Sequence, residues 1–69
     1  MDNLSSWLAE EIKTRGWSIR ELARRMDTSH TTVADVISGQ RQPTWDFCAK
    51  LAKVLGEPPE RILRLAGLL

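Results

Sequence analysis

The stretch SIRELARRMDTSHTTVADVISG, residues 18–39, contains two short helical patterns separated by a turn. Ser18 and Glu21 have the spacing of a capping box, in which the serine oxygen accepts from a first-turn amide and the glutamate reaches back to the Ser18 amide. Apolar side chains then recur at helical spacing, with arginines on the other faces; they are Ile19, Leu22, Ala23 and Met26. We therefore expect a helix from this serine onward, buried along one stripe.

The second pattern in the same stretch has a polar face. Ser29 is a predicted N-cap, and Gly39 supplies the left-handed residue that closes a helix. Val33, Val36 and Ile37 are expected to face inward. The outer positions then form one contiguous stripe of small or polar groups, made of His30, Thr31, Ala34, Asp35 and Ser38. This second helix offers a polar surface to a partner outside the protein.

Three further helices are expected around this pair. The first ends at Gly16 and buries a stripe of Leu4, Leu8 and Ile12; its cap candidates are Asp2, Asn3, Ser5 and Ser6. The fourth is capped by Thr44, ends at Gly56, and buries Cys48, Leu51, Ala52 and Leu55. Pro58 and Pro59 begin the last short helix, because proline is favoured in a first helical turn. The predicted fold class is all-α, with residues 1–69 forming a single domain.

Composition excludes several classes of function. The chain of 69 residues has a net charge of +1. It has one cysteine and one histidine, so neither a disulfide framework nor a zinc motif is present. No phosphate-cradling glycine loop occurs, and no acids are paired at a spacing that serves catalysis. No uncharged stretch approaches the ~18 residues of a membrane span. We therefore expect a cytoplasmic non-enzyme with no cofactor, no metal and no membrane partner, and we expect Cys48 to be a small core residue rather than a nucleophile.

The order and spacing of these features resemble the helix-turn-helix of the phage-repressor and Cro type, also called the XRE type. Leu22-Ala23, the turn, and Val33, Val36 and Gly39 carry the resemblance within the motif. It extends to Gly16-Trp17-Ser18, to residues 39–43 and to residues 51–56. The resemblance departs at Asp27, where the family usually has glycine, although aspartate tolerates a positive φ.

This resemblance implies a compact, five-helix, lambda-repressor-like bundle whose helices 2 and 3 form the helix-turn-helix. The implied function is sequence-specific binding of double-stranded DNA by a bacterial or phage-type transcriptional regulator, and specifically by a repressor. Helix 3 would lie in the major groove. The partner would be a pseudo-palindromic operator bound by a homodimer, with half-sites about one helical turn apart.

The candidate DNA contacts fall into two groups. The predicted base-reading residues are His30, Thr31, Ala34 and Asp35, whose short side chains can meet donors, acceptors or methyls in the major groove. The predicted phosphate-binding residues are Ser18, Arg20, Ser29, Gln40, Arg41 and Gln42. Both serines also have the simpler interpretation of ordinary helix caps. Asp35 would be repelled by DNA unless a base amino group or an arginine meets it.

A second interpretation stays open alongside DNA binding. The scaffold could serve as a protein-interaction module, such as the antitoxin of a toxin–antitoxin pair or a coactivator. The modest net charge favours it, and the apolar C-terminal residues 66–69 offer a surface for a protein partner. The role of Trp45 also remains open: it could lie at the edge of the core, beside a DNA phosphate or in a dimer contact. Arg24 and Arg25 could each bind DNA, face solvent or pair with an acid.

Overall fold

The computed structural model describes residues 3–69 and contains five helices within that range. They are α1 (Leu4–Arg15), α2 (Ile19–Met26), α3 (His30–Ser38), α4 (Trp45–Leu55) and α5 (Pro59–Leu65). No strand occurs in this described part, so the all-α prediction is confirmed. The radius of gyration is 10.6 Å, close to the ~11 Å expected for a compact chain of this length.

Four of the five helices begin with a side-chain cap. Its oxygen accepts from the amide three residues on, at 3.0–3.2 Å, in the pairs Asn3–Ser6, Ser18–Glu21, Ser29–Thr32 and Thr44–Phe47. The cap candidate Asp2 lies outside the described residues. The reciprocal half of the predicted capping box was wrong, because the Glu21 carboxylate pairs with Arg24 and Arg25 rather than with the Ser18 amide. α5 begins instead with a proline, Pro59, at its first position.

The first four helices end on a residue in the left-handed conformation. Glycine fills three of these positions, and Asp27 fills the one inside the helix-turn-helix, with φ 56° and ψ 47°. The Thr28 amide donates to the Ala23 carbonyl at 3.0 Å, as it would in a glycine-closed turn. The departure at Asp27 therefore leaves the turn geometry intact.

The core lies where the predicted stripes meet. α3 packs against α1 and α2, α4 packs against α2 and α5, and α1 also contacts α5. Every apolar stripe position expected to lie inside is buried, except that Ile19 and Ile37 are only partly covered. Cys48 is fully buried, and burial raises the pKa of its thiol. This thiol belongs to the core.

Trp17, just before α2, and Trp45, the first residue of α4, have different environments. Trp17 packs partly against the core, and its ring is covered by the guanidinium groups of Arg25 and Arg15, 4.3 and 5.3 Å from the ring centroid. The Trp17 ring is therefore partly buried rather than freely exposed to solvent. Trp45 is 58% exposed, which removes the core-edge interpretation. Of the apolar C-terminus, Leu68 packs against the core and Leu69 is exposed.

Candidate nucleic-acid interface

The outer face of α3 presents small and polar side chains to solvent. His30, Thr31 and Ser38 are exposed, while Ala34 and Asp35 are half-buried. The opposite face of α3 is held in the core by Val33 and Val36. Ser5 Oγ on α1 also donates to the Val36 carbonyl at 2.7 Å. The helix is therefore fixed with its stripe of short side chains outward.

The N-termini of α2 and α3 are both exposed to solvent. Ser18 and Ser29 are confirmed as caps, and both are exposed. Each cap satisfies one amide of its helix, which leaves other first-turn amides directed outward and a partial positive charge at the helix end. Ser29 Oγ also lies 2.8 Å from Thr32 Oγ1. Thr32 was not among the predicted site residues, although its position three residues after a capping serine indicates a contact with that cap.

The arginines of α2 differ in whether they already form an ion pair with an acidic side chain. Glu21 accepts from both Arg24 and Arg25, with Arg25 Nε 2.7 Å from its carboxylate. The hydrogen bond from Arg24 lowers the pKa of Glu21, helped by Arg25, and the same contact raises the pKa of Arg24. Arg20, exposed in the first turn, has no ion pair within residues 3–69. It is the α2 cation left free for an external anion.

The loop after α3 folds back onto Asp35. The Asp35 carbonyl accepts from the Gln40 and Arg41 amides at 2.9 and 3.2 Å, and its carboxylate accepts from Arg41 Nη2 at 3.3 Å. The arginine that could neutralise Asp35 is thus present within the chain itself. Gln40 is exposed, whereas the Gln42 side-chain amide donates to the Ala66 carbonyl at 3.1 Å and joins the loop to the C-terminal end.

The motif thus combines small polar groups on the outer face of α3 with two cations. Arg20 lies at the start of α2, and Arg41 lies just beyond the end of α3. An α-helix with short outward side chains fits the major groove of B-DNA, which is about 12 Å wide. Residues 3–69 contain no group of three or more side chains able to hold a metal, and none of their helices is long and apolar enough to cross a membrane.

Comparison with known proteins identifies the family to which the chain is similar. A family model described as helix-turn-helix matches residues 8–62, which is most of the chain and covers α2, the turn and α3 completely. No curated protein matches the chain.

Proposed function

The chain belongs to the helix-turn-helix family, a family of DNA-binding regulatory domains, and from this premise we propose that it is a sequence-specific transcriptional regulator of the repressor type. The observation that carries the proposal is the outer face of α3, where His30, Thr31, Ala34 and Asp35 form a narrow accessible stripe on a helix fixed by its opposite face. Such a stripe can enter the major groove without moving the core.

Within the groove the four side chains offer different chemistry. His30 can donate to guanine O6 or N7, and Thr31 can hydrogen-bond a base or touch a thymine methyl. Ala34 permits close approach, and Asp35 can accept from the amino group of cytosine. Each correct contact of this kind discriminates by about 1–3 kcal/mol per base pair. Base choice is therefore assigned to the outer face of α3.

Phosphate contacts supply most of the affinity. Ser18 and Ser29 lie at helix N-termini whose free amides favour an anion. Arg20 lacks an internal partner, and Arg41 and Gln40 are exposed on the loop after α3. The side-chain nitrogen of Gln42 already donates to the Ala66 carbonyl, so Gln42 contributes by holding this loop in place. Ser18, Ser29, Arg20 and Gln40 position the protein without reading sequence.

We further propose that two copies bind a pseudo-palindromic operator. Half-sites one helical turn apart lie about 34 Å from centre to centre. The longest axis of one copy is 27 Å, so two copies fit side by side on adjacent half-sites and any contact between them is made by surface side chains. Trp45 and Leu69 are the exposed large apolar side chains of the described residues and are candidates for that contact.

A protein-interaction role is the second candidate function, and the same two exposed apolar side chains favour it. It predicts that Trp45→Ala and Leu69→Ala remove the function, while variants of α3 retain it. DNA binding predicts that variants of α3 lose binding to a duplex, while Trp45→Ala and Leu69→Ala weaken only the contact between two copies and leave binding to a single half-site unchanged. The two roles therefore separate by which surface is sensitive to substitution.

The proposed function is tested with Arg20→Gln against a matched control, Lys53→Gln. Lys53 is an exposed lysine near the end of α4 that, like Arg20, has no ion pair within the described range. Arg20→Gln should weaken binding to specific and random duplexes by the same factor and reduce the slope of log K against log salt by about 0.9. Lys53→Gln should leave the slope near its wild-type value. Equal losses from the two variants would contradict the assignment of Arg20 to a phosphate.

Base reading is tested separately by selecting preferred duplexes with His30→Ala and Thr31→Ala. Both variants should lose preference at one or two base pairs and keep the wild-type salt slope, since no phosphate contact is removed. An unchanged preference in both variants would show that α3 does not enter the groove by this face.

A further inference from the structure

The carboxylate of Asp35 and the guanidinium of Arg41 form an ion pair on the edge of the DNA-facing surface. Arg41 Nη2 lies 3.3 Å from Asp35 Oδ2, and the two side chains are 52% and 31% exposed. The Arg41 amide also donates to the Asp35 carbonyl, as does the Gln40 amide. The loop backbone therefore keeps Arg41 within reach of Asp35 whether or not the side chains stay paired.

This ion pair can be exchanged at small energetic cost. Exposed salt bridges contribute little to stability, because water solvates both charges well. DNA offers a competitor to each member of the pair. A phosphate attracts the guanidinium through charge-assisted hydrogen bonds, and the amino group of cytosine is a donor for the carboxylate.

The two exchanges depend on each other. If a phosphate took Arg41 alone, Asp35 would be left as an unpaired carboxylate beside a polyanion, which is unfavourable. If a cytosine amino group took Asp35, Arg41 would be released to the neighbouring phosphate. Because the Gln40 and Arg41 amides stay bonded to the Asp35 carbonyl, only side chains need to move when the ion pair opens.

We propose, resting on the DNA-binding function above, that Asp35 and Arg41 act together as a specificity switch that couples base reading to phosphate binding. On a duplex that presents a cytosine amino group to Asp35, the pair opens and both side chains bind DNA. On any other duplex the pair stays closed and neither contributes. Asp35 thereby lowers affinity for the wrong sites, and one base pair controls two contacts.

The test uses the duplex selected by the wild-type protein, with each of its G·C pairs replaced in turn. Binding is measured by fluorescence anisotropy across a salt series for wild type, Asp35→Ala and Arg41→Gln. The Glu57–Arg61 pair at the start of α5, with N–O distance 3.2 Å, supplies the matched controls Glu57→Ala and Arg61→Gln. Circular dichroism verifies that each variant is folded.

For wild type, replacing one particular G·C pair should weaken binding about 5- to 150-fold and reduce the salt slope by about 0.9, the value of one phosphate contact. Asp35→Ala should lose this discrimination and show the larger slope on both duplexes, because Arg41 is then always free. Arg41→Gln should show the smaller salt slope on both duplexes. The control variants should behave as wild type.

Two results would overturn the inference. If Asp35→Ala keeps the wild-type discrimination and the wild-type difference in slope, the pair is not coupled to the base, and the proposed function survives without it. If folded wild-type protein binds no duplex, even at low salt, the proposed function fails and this inference fails with it.

Discussion

Replacing Leu22 by alanine tests whether α2 packs into the core through its apolar stripe. The Leu22 side chain is 0% exposed, and it lies beside Ala23 in the stripe that faces the rest of the core. Removing a fully buried leucine side chain typically costs about 2–5 kcal/mol, from lost transfer energy and the cavity left behind. A 69-residue domain has a total stability of only about 3–10 kcal/mol. The substitution should therefore remove a large fraction of the stability.

The assay is urea unfolding followed by circular dichroism, with thermal melts in parallel. Leu22→Ala should lower the melting temperature by roughly 8 °C or more, because each kcal/mol corresponds to about 4–8 °C in a domain of this size. Leu69→Ala makes the same chemical change at a side chain that is 61% exposed, and should stay within about 0.5 kcal/mol of wild type. A Leu22→Ala protein as stable as the Leu69→Ala control would refute the packing described for α2.

Three further predictions concern single positions. Asp27→Gly should raise the melting temperature by a few degrees, because the left-handed conformation at φ 56° strains a residue with a Cβ; a lower value in thermal melts would contradict this. Glu21→Gln should lower the melting temperature at pH 7. The paired arginines depress the pKa of Glu21 on folding, so its contribution is present above the unfolded pKa and disappears as pH falls through the folded one. Wild type and Glu21→Gln should thus converge in melts at acidic pH. Cys48 should react with a thiol reagent only as fast as the domain opens, since the thiol is buried and its pKa is raised; rapid labelling in native buffer would count against its place in the core.

Local signals made most of the fold predictable from the sequence. A capping serine, threonine or asparagine acts on an amide three residues away, and a glycine closes the turn at which it stands. Ser18, Ser29 and Thr44 all cap helices as expected, and the apolar stripes between the caps fill the core. These features need no knowledge of distant residues, which is why they can be inferred from the sequence alone.

Features that depend on competition or on tertiary contact could not be predicted in the same way. Glu21 had a plausible amide partner, but Arg24 and Arg25 lie on the same side of the helix and form stronger, charge-assisted bonds. The bond from Gln42 to Ala66 joins residues 24 apart and depends on where α5 ends. Neither arrangement has a pattern at short range that distinguishes it from the alternatives.

In the candidate site, too, the local feature was predictable from the sequence and the feature that depends on tertiary contact was not. The outer stripe of α3 followed directly from helical periodicity. The pairing of Asp35 with Arg41 depends on how the chain turns back after Gly39, which brings the Arg41 amide to the Asp35 carbonyl. The sequence identified both residues as candidate DNA contacts and did not show that they hold each other.

The most direct test of the central claim is to measure binding of this protein to a pool of random duplexes by fluorescence anisotropy at two salt concentrations, and then to sequence the retained DNA. DNA reading by α3 predicts an affinity that falls with salt and an enriched motif with two-fold symmetry. Absence of binding at low salt, by a protein shown to be folded, would contradict DNA reading and would favour the protein-interaction role.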